Sequence, residues 1–146
     1  PADYQGPDYD RSWFSSNTIV ARYKTIESFI TGKNKILGIL TNANGVQYYQ
    51  NIRVQFNTVD FVANPENISD PYNSMTIVTE LSQLFYCETL SPARLDYFLQ
   101  TLNDLDPGYW SGAWSEYIVN GNDVQVKTRL DSLFTKLINA AEFQLM

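Results

Sequence analysis

The chain has 146 residues, 44 % of them hydrophobic and 14 % aromatic, and a net charge of −6. That length makes one domain with one substantial core the expectation. The acidic balance repels a phosphate backbone and an anionic bilayer alike, so nucleic acid is not an expected partner, and no run of about 18 apolar residues is present to span a membrane.

Residues 1–15 mix Pro1, Gly6 and Pro7 with polar and aromatic side chains, which predicts an irregular lead-in. Residue 1 is proline, and the expectation is a fragment of a longer protein. A helix follows: Ser16 or Asn17 can cap it, Ile19, Tyr23, Ile26 and Ile30 recur at helical spacing, and Gly32 stands where a left-handed C-terminal residue belongs. Residues 33–56 hold Gly38, Asn42, Asn44 and Gly45 around the apolar run 36–40, and read as a loop or small hairpin. Alternation over 52–56 predicts a short half-buried strand or an extended segment there. Asn57 can cap a short helix ending before Pro65, because the residue preceding proline avoids the helical region.

Asp70-Pro71 predicts the next helix start, a capping side chain followed by proline at the first helical position. Ile77, Val78, Leu81, Leu84 and Phe85 mark its buried face. Ser91-Pro92 repeats the signal, with Leu95, Phe98, Leu99 and Leu102 as the stripe and Asp106-Pro107-Gly108 as the stop. A connection this short predicts an antiparallel pair. A short helix over 110–119 carries Trp110, Trp114, Tyr117 and Ile118. Beyond the turn at 120–123, Val126, Leu130, Leu133, Leu137 and Ala141 set out a last long helix. The expected fold is therefore mainly α, about five helices in an irregular bundle with a loop or hairpin insertion near 33–56, forming a single domain over 1–146.

Missing chemistry narrows function. With no histidine, the chain supplies no Ser–His or Cys–His couple and none of the usual zinc sets. Neither GxxxxGK[ST] nor GxGxxG occurs to cradle phosphate. Cys87 cannot close an intrachain disulfide, and its neighbours Leu84, Phe85 and Tyr86 predict a buried thiol. Asp104 and Asp106 have the alternate spacing of a calcium loop, but Gly108, Tyr109 and Ser115 stand where such a loop needs a ligand, the turn glycine and the bidentate glutamate. No metal, cofactor or catalytic residue is assigned.

Two constellations remain as candidate sites. Trp13, Trp110 and Trp114, with Tyr9, Asp8 and Asp10, would suit stacking on sugar rings with polar groups bonding the hydroxyls; against this stands the ordinary fate of large rings, which is burial. Asp8 and Asp10 could also act as the acid and base of a hydrolase, although neighbouring acids in an irregular terminus are usually just solvated.

Two stretches carry a family resemblance. "PADYQGPDYDRSWFSSNTIVARY", residues 1–23, resembles a segment that leads through Tyr and Gln to a Trp, then a Ser-Asn pair, then a helix bearing an Arg such as Arg22. "LDSLFTKLINAAEFQLM", residues 130–146, is similar to a closing helix with a Glu-Phe-Gln signature, and residues 64–102 keep the same order of Pro-rich stretch, helix, Ser-led turn and helix. Together they resemble the C-terminal part of the bacterial domain-of-unknown-function 1800 family. The upstream Gly-Trp of that pattern and its long N-terminal helical portion have no counterpart here, and residues 33–56 match nothing in it. The resemblance implies an exported bacterial protein, periplasmic or extracellular, and names no activity. The expectation is a non-catalytic structural or interaction domain whose partner is the N-terminal portion of the same protein, a glycan or another exported protein. A carbohydrate-binding domain and part of a carboxylate-dependent hydrolase are the alternatives.

Overall fold

The structure is a computed structural model and describes residues 16–86, 89–140 and 143. Six helices and one two-stranded antiparallel sheet are present among these residues, the mainly α class with a small hairpin that the periodicity predicts. The chain divides into two compact units, Pro1–Gln55 and Phe56–Met146.

The first unit holds α1 (Ser16–Ile30), β1 (Asn34–Thr41) and β2 (Gln47–Val54). Ile30 is buried and Ile19, Tyr23 and Ile26 are half-buried, so the predicted stripe is the inward face of α1. Gly32 ends the helix at φ 69°, and the Lys33 N–H reaches back to the Ser28 carbonyl at 2.9 Å. The Gln55 side-chain amide donates to the Ile30 carbonyl at 3.0 Å, tying the exit of β2 to the end of α1.

The two strands pair from Asn34↔Val54 to Thr41↔Gln47. Asn42 makes the turn: its Oδ1 accepts from the N–H groups of Asn44 and Val46, and its own N–H donates to the Val46 carbonyl at 2.9 Å. The hairpin expected somewhere in 33–56 thus uses nearly all of that stretch, and the alternation at 52–56 caught only the end of β2, which stops at Val54. Gly38 has a packing reason, since a Cβ there would lie 2.1 Å from Ile52 Cδ1.

The second unit contains α2 (Thr58–Ala63), α3 (Ser74–Phe85), α4 (Pro92–Asn103), α5 (Tyr109–Asn120) and α6 (Val124–Asn139). Val126, Leu130, Leu133 and Leu137 are fully buried along α6, and Phe134 joins them. Around this stripe pack Val59 and Val62 of α2, Ile77, Val78 and Leu81 of α3, Phe98 and Leu102 of α4, and Trp110 and Trp114 of α5. Phe134 meets Phe56, Phe61 and Phe85 at centroid distances of 5.5–5.9 Å, the last two edge-on, which satisfies the ring quadrupoles. Asn103 Nδ2 at the end of α4 donates to Ser74 Oγ at the start of α3, at 3.0 Å, so the two helices run antiparallel as their short connection predicts.

Three helix starts differ from or refine the sequence reading, the first being α1, which already includes Ser16 and Asn17, so neither precedes it as a cap. Asp70-Pro71 opens a turn rather than a helix: Asp70 Oδ1 accepts from the Tyr72 N–H, and α3 begins three residues later because Asn73 Oδ1 accepts from Met75 and Thr76. Ser91-Pro92 does start α4, with proline at the first position, but the Ser91 side chain makes no capping bond. Asn57 caps α2 through the N–H groups of Val59 and Asp60. Substituting Asn73→Ala should therefore lower stability by about 1 kcal/mol, whereas Ser91→Ala should stay within about 0.5 kcal/mol of the parent. Urea unfolding of both variants checks this, and equal losses would contradict the assignment of the caps.

Candidate functional site

Of the residues singled out from sequence, Asp8, Tyr9, Asp10 and Trp13 lie outside the described residues, as does Cys87. Trp110 and Trp114 are 0 % and 1 % exposed. Their rings lie 5.6 Å apart, and the Trp110 indole N–H donates to the Pro71 carbonyl at 2.9 Å. Neither indole offers a face to a sugar ring. The physical reason is the helix period: positions 110, 113 and 114 form the inward side of α5, leaving Ile118 and Val119 outside.

Two surface features present groups that the core does not use. The first is an open groove of about 380 Å³ at the end of α4, lined by Asp96, Leu99, Gln100, Asn103, Asp104, Leu105 and Pro107. Asp104 sits at φ 56°, ψ −120°, the geometry of the first central residue of a II′ turn, where glycine is the usual occupant. The turn closes through the Asp106 N–H to the Asn103 carbonyl at 3.0 Å. Asp104 is held by Arg129, whose Nη2 donates to Oδ2 at 2.7 Å while its guanidinium lies 5.0 Å over the Tyr109 ring. The Asp104 carboxylate is the main reason the Arg129 guanidinium is held above its ordinary pKa, with burial opposing and Tyr109 assisting. Asp106 instead accepts from the Gly108 N–H, so the Asp104/Asp106 spacing builds a helix stop. Among the described residues no group of three or more His, Cys, Asp or Glu side chains is gathered to hold a metal ion, and no helix is long and apolar enough to cross a membrane.

The second feature is one face of the hairpin. Strand alternation places Lys35, Leu37, Ile39 and Thr41 on the same side as their partners Arg53, Asn51, Tyr49 and Gln47. All eight are exposed, with Leu37 at 67 %, Ile39 at 59 % and Tyr49 at 70 %. The opposite face is the less exposed one, with Asn34, Gly38, Leu40, Ile52 and Val54 half-buried. Lys35 and Arg53 are direct cross-strand neighbours and neither forms an ion pair among the described residues. Like charges set opposite one another destabilise a ladder. This face carried a signal in the sequence that strand periodicity does not weigh: no Asp or Glu occurs between Glu27 and Asp60.

No family model matches the chain, and neither a curated protein nor a solved structure does.

The turn at Asp104 sets two effects against each other. Asp104→Gly removes positive-φ strain of about 1–3 kcal/mol and loses an exposed ion pair of about 0–1 kcal/mol. Asp104→Asn loses the pair and keeps the strain. The expected order of urea midpoints is Asp104→Gly above the parent and Asp104→Asn below it; a midpoint for Asp104→Gly below the parent's would show that the ion pair outweighs the strain.

Proposed function

We propose that this chain is a non-catalytic interaction domain and that the outer face of the β1–β2 hairpin is its contact surface. The observation that carries this reading is the contiguity of the exposed apolar groups. Single exposed hydrophobic residues are ordinary, but Ile39 and Tyr49 face each other across the ladder and Leu37 is the next residue on the same side. Contiguous apolar surface left in water is what a partner site presents. The two tryptophans of α5 support the reading from the other side, because both are consumed by the core of the helical unit.

On the same reading the chain is the C-terminal part of a larger exported bacterial protein, and it meets its partner outside the cytoplasm. The support is the resemblance of residues 1–23 and 130–146 to the domain-of-unknown-function 1800 family.

Site-specific photo-crosslinking in the source cells tests the surface. A benzophenone side chain replacing Tyr49 should give a discrete adduct, and the same group replacing the exposed Ser115 of α5 should give none. Adducts at neither position, or only at Ser115, would overturn the assignment.

A further inference from the structure

From the chemistry of the same hairpin face we infer the class of its partner: an acidic, apolar polypeptide segment whose carboxylates meet Lys35 and Arg53 while its apolar side chains cover Leu37, Ile39 and Tyr49. This rests on the reading of the hairpin as a contact surface and adds the partner's charge.

The first argument is charge distribution. The chain is acidic overall, yet residues 16–55 carry Arg22, Lys24, Lys33, Lys35 and Arg53 against Glu27 alone, whereas residues 56–146 carry twelve acidic residues against four basic ones. Basic charge is thus concentrated in the stretch that displays the apolar face. The second argument is placement. Lys35 and Arg53 occupy one rung of the ladder, both exposed and without a carboxylate partner among the described residues. Such a rung weakens the isolated hairpin, and a carboxylate arriving from a partner turns the repulsion into attraction.

Other occupants fit less well. A nucleic acid would use the cations but leave Leu37 and Ile39 uncovered, and its phosphates would be repelled by the acidic remainder of the chain. A second copy docking through the same face would bring no carboxylate to Lys35 and Arg53, because that face carries none.

The test uses the full chain and a labelled peptide in which glutamates flank an alternating valine–threonine run, read by fluorescence anisotropy. The parent should bind it, and binding should fall as salt is raised, because exposed charges are screened. Substituting K35E should weaken binding about tenfold or more. K35E also places opposite charges across the strands, so its thermal midpoint should equal or exceed the parent's, which separates lost binding from lost folding. A second variant, Leu37→Thr with Tyr49→Thr, keeps both cations and should also bind more weakly. The same peptide with lysines in place of glutamates should not bind.

Absence of binding by the parent, or undiminished binding by K35E, would overturn the inference. So would single-stranded RNA binding as tightly as the peptide, or a parent that sediments as a dimer while K35E sediments as a monomer. A crosslink at Tyr49 combined with no peptide binding would leave the contact surface standing and remove only the acidic partner.

Discussion

The helical unit depends on the apolar stripe of α6. A sixteen-residue helix with Val126, Leu130, Leu133, Phe134 and Leu137 on one side cannot be left in water. Each fully buried aliphatic or aromatic side chain stabilises the fold by about 1.5–3 kcal/mol relative to exposure. α2, α3, α4 and α5 all pack against α6, so the stripe is the surface on which the others converge. Polar groups fix where they settle. The Tyr86 hydroxyl donates to the Leu137 carbonyl at 2.6 Å near the end of α6, and the Thr58 hydroxyl donates to Asp131 Oδ1 at 2.6 Å from α2. Asp131 is shared, because Lys127 donates to its other oxygen at 3.0 Å from one turn earlier on α6. Polar atoms paired in this way, buried or half-buried, specify one arrangement among the many that hydrophobic burial alone would accept.

The same packing explains why the two tryptophans of α5 are buried. α5 is twelve residues long and must cover part of the α6 stripe with whatever its inward side supplies. Trp110, Ala113 and Trp114 supply it, and the Trp110 N–H finds the Pro71 carbonyl in the turn before α3. An indole committed to a carbonyl on one edge and to core packing on its faces has no surface left for a ligand. Chemistry directed outward must then come from side chains that the core does not recruit, and on the hairpin these are Lys35, Arg53 and the three exposed apolar groups beside them.

Helix periodicity was legible at most positions, although Leu84, expected on the buried face of α3, is 61 % exposed. Val126, Leu130, Leu133 and Leu137 are inward on α6 as expected, while Ala141 lies outside the described residues; Gly32 is left-handed, and Asn57 caps α2. Local signals misled where two of them competed. Asp70-Pro71 and Asn73 both offer a start, and Asn73 prevails because its side chain reaches two helical N–H groups, while Asp70 closes a turn on Tyr72. Composition was a weaker guide. Aromatic clusters do not reveal whether a ring faces in or out, and only the placement of Trp110 and Trp114 on one side of a packed helix decided it. The strands were only partly legible, since β1 interrupts its apolar run with Gly38 and β2 presents Gln50 and Asn51 in mid-strand. Pairing across the ladder, which no single segment encodes, makes strands of both.

Register links the hairpin's local chemistry to its role. A slip of one residue would carry Lys35, Leu37 and Ile39 to the opposite face and bring Ile36, Gly38 and Leu40 outward. Two features oppose it. Asn42 fixes the turn by accepting two backbone N–H groups with one side-chain oxygen. Gly38 admits the end of Ile52 into space that any other side chain would fill, and this fit holds only when Gly38 lies opposite Gln50. Both residues act away from the outer face, yet both determine what it displays. The repulsion between Lys35 and Arg53 persists because the register cannot relax to separate them, and their charge is held facing solvent.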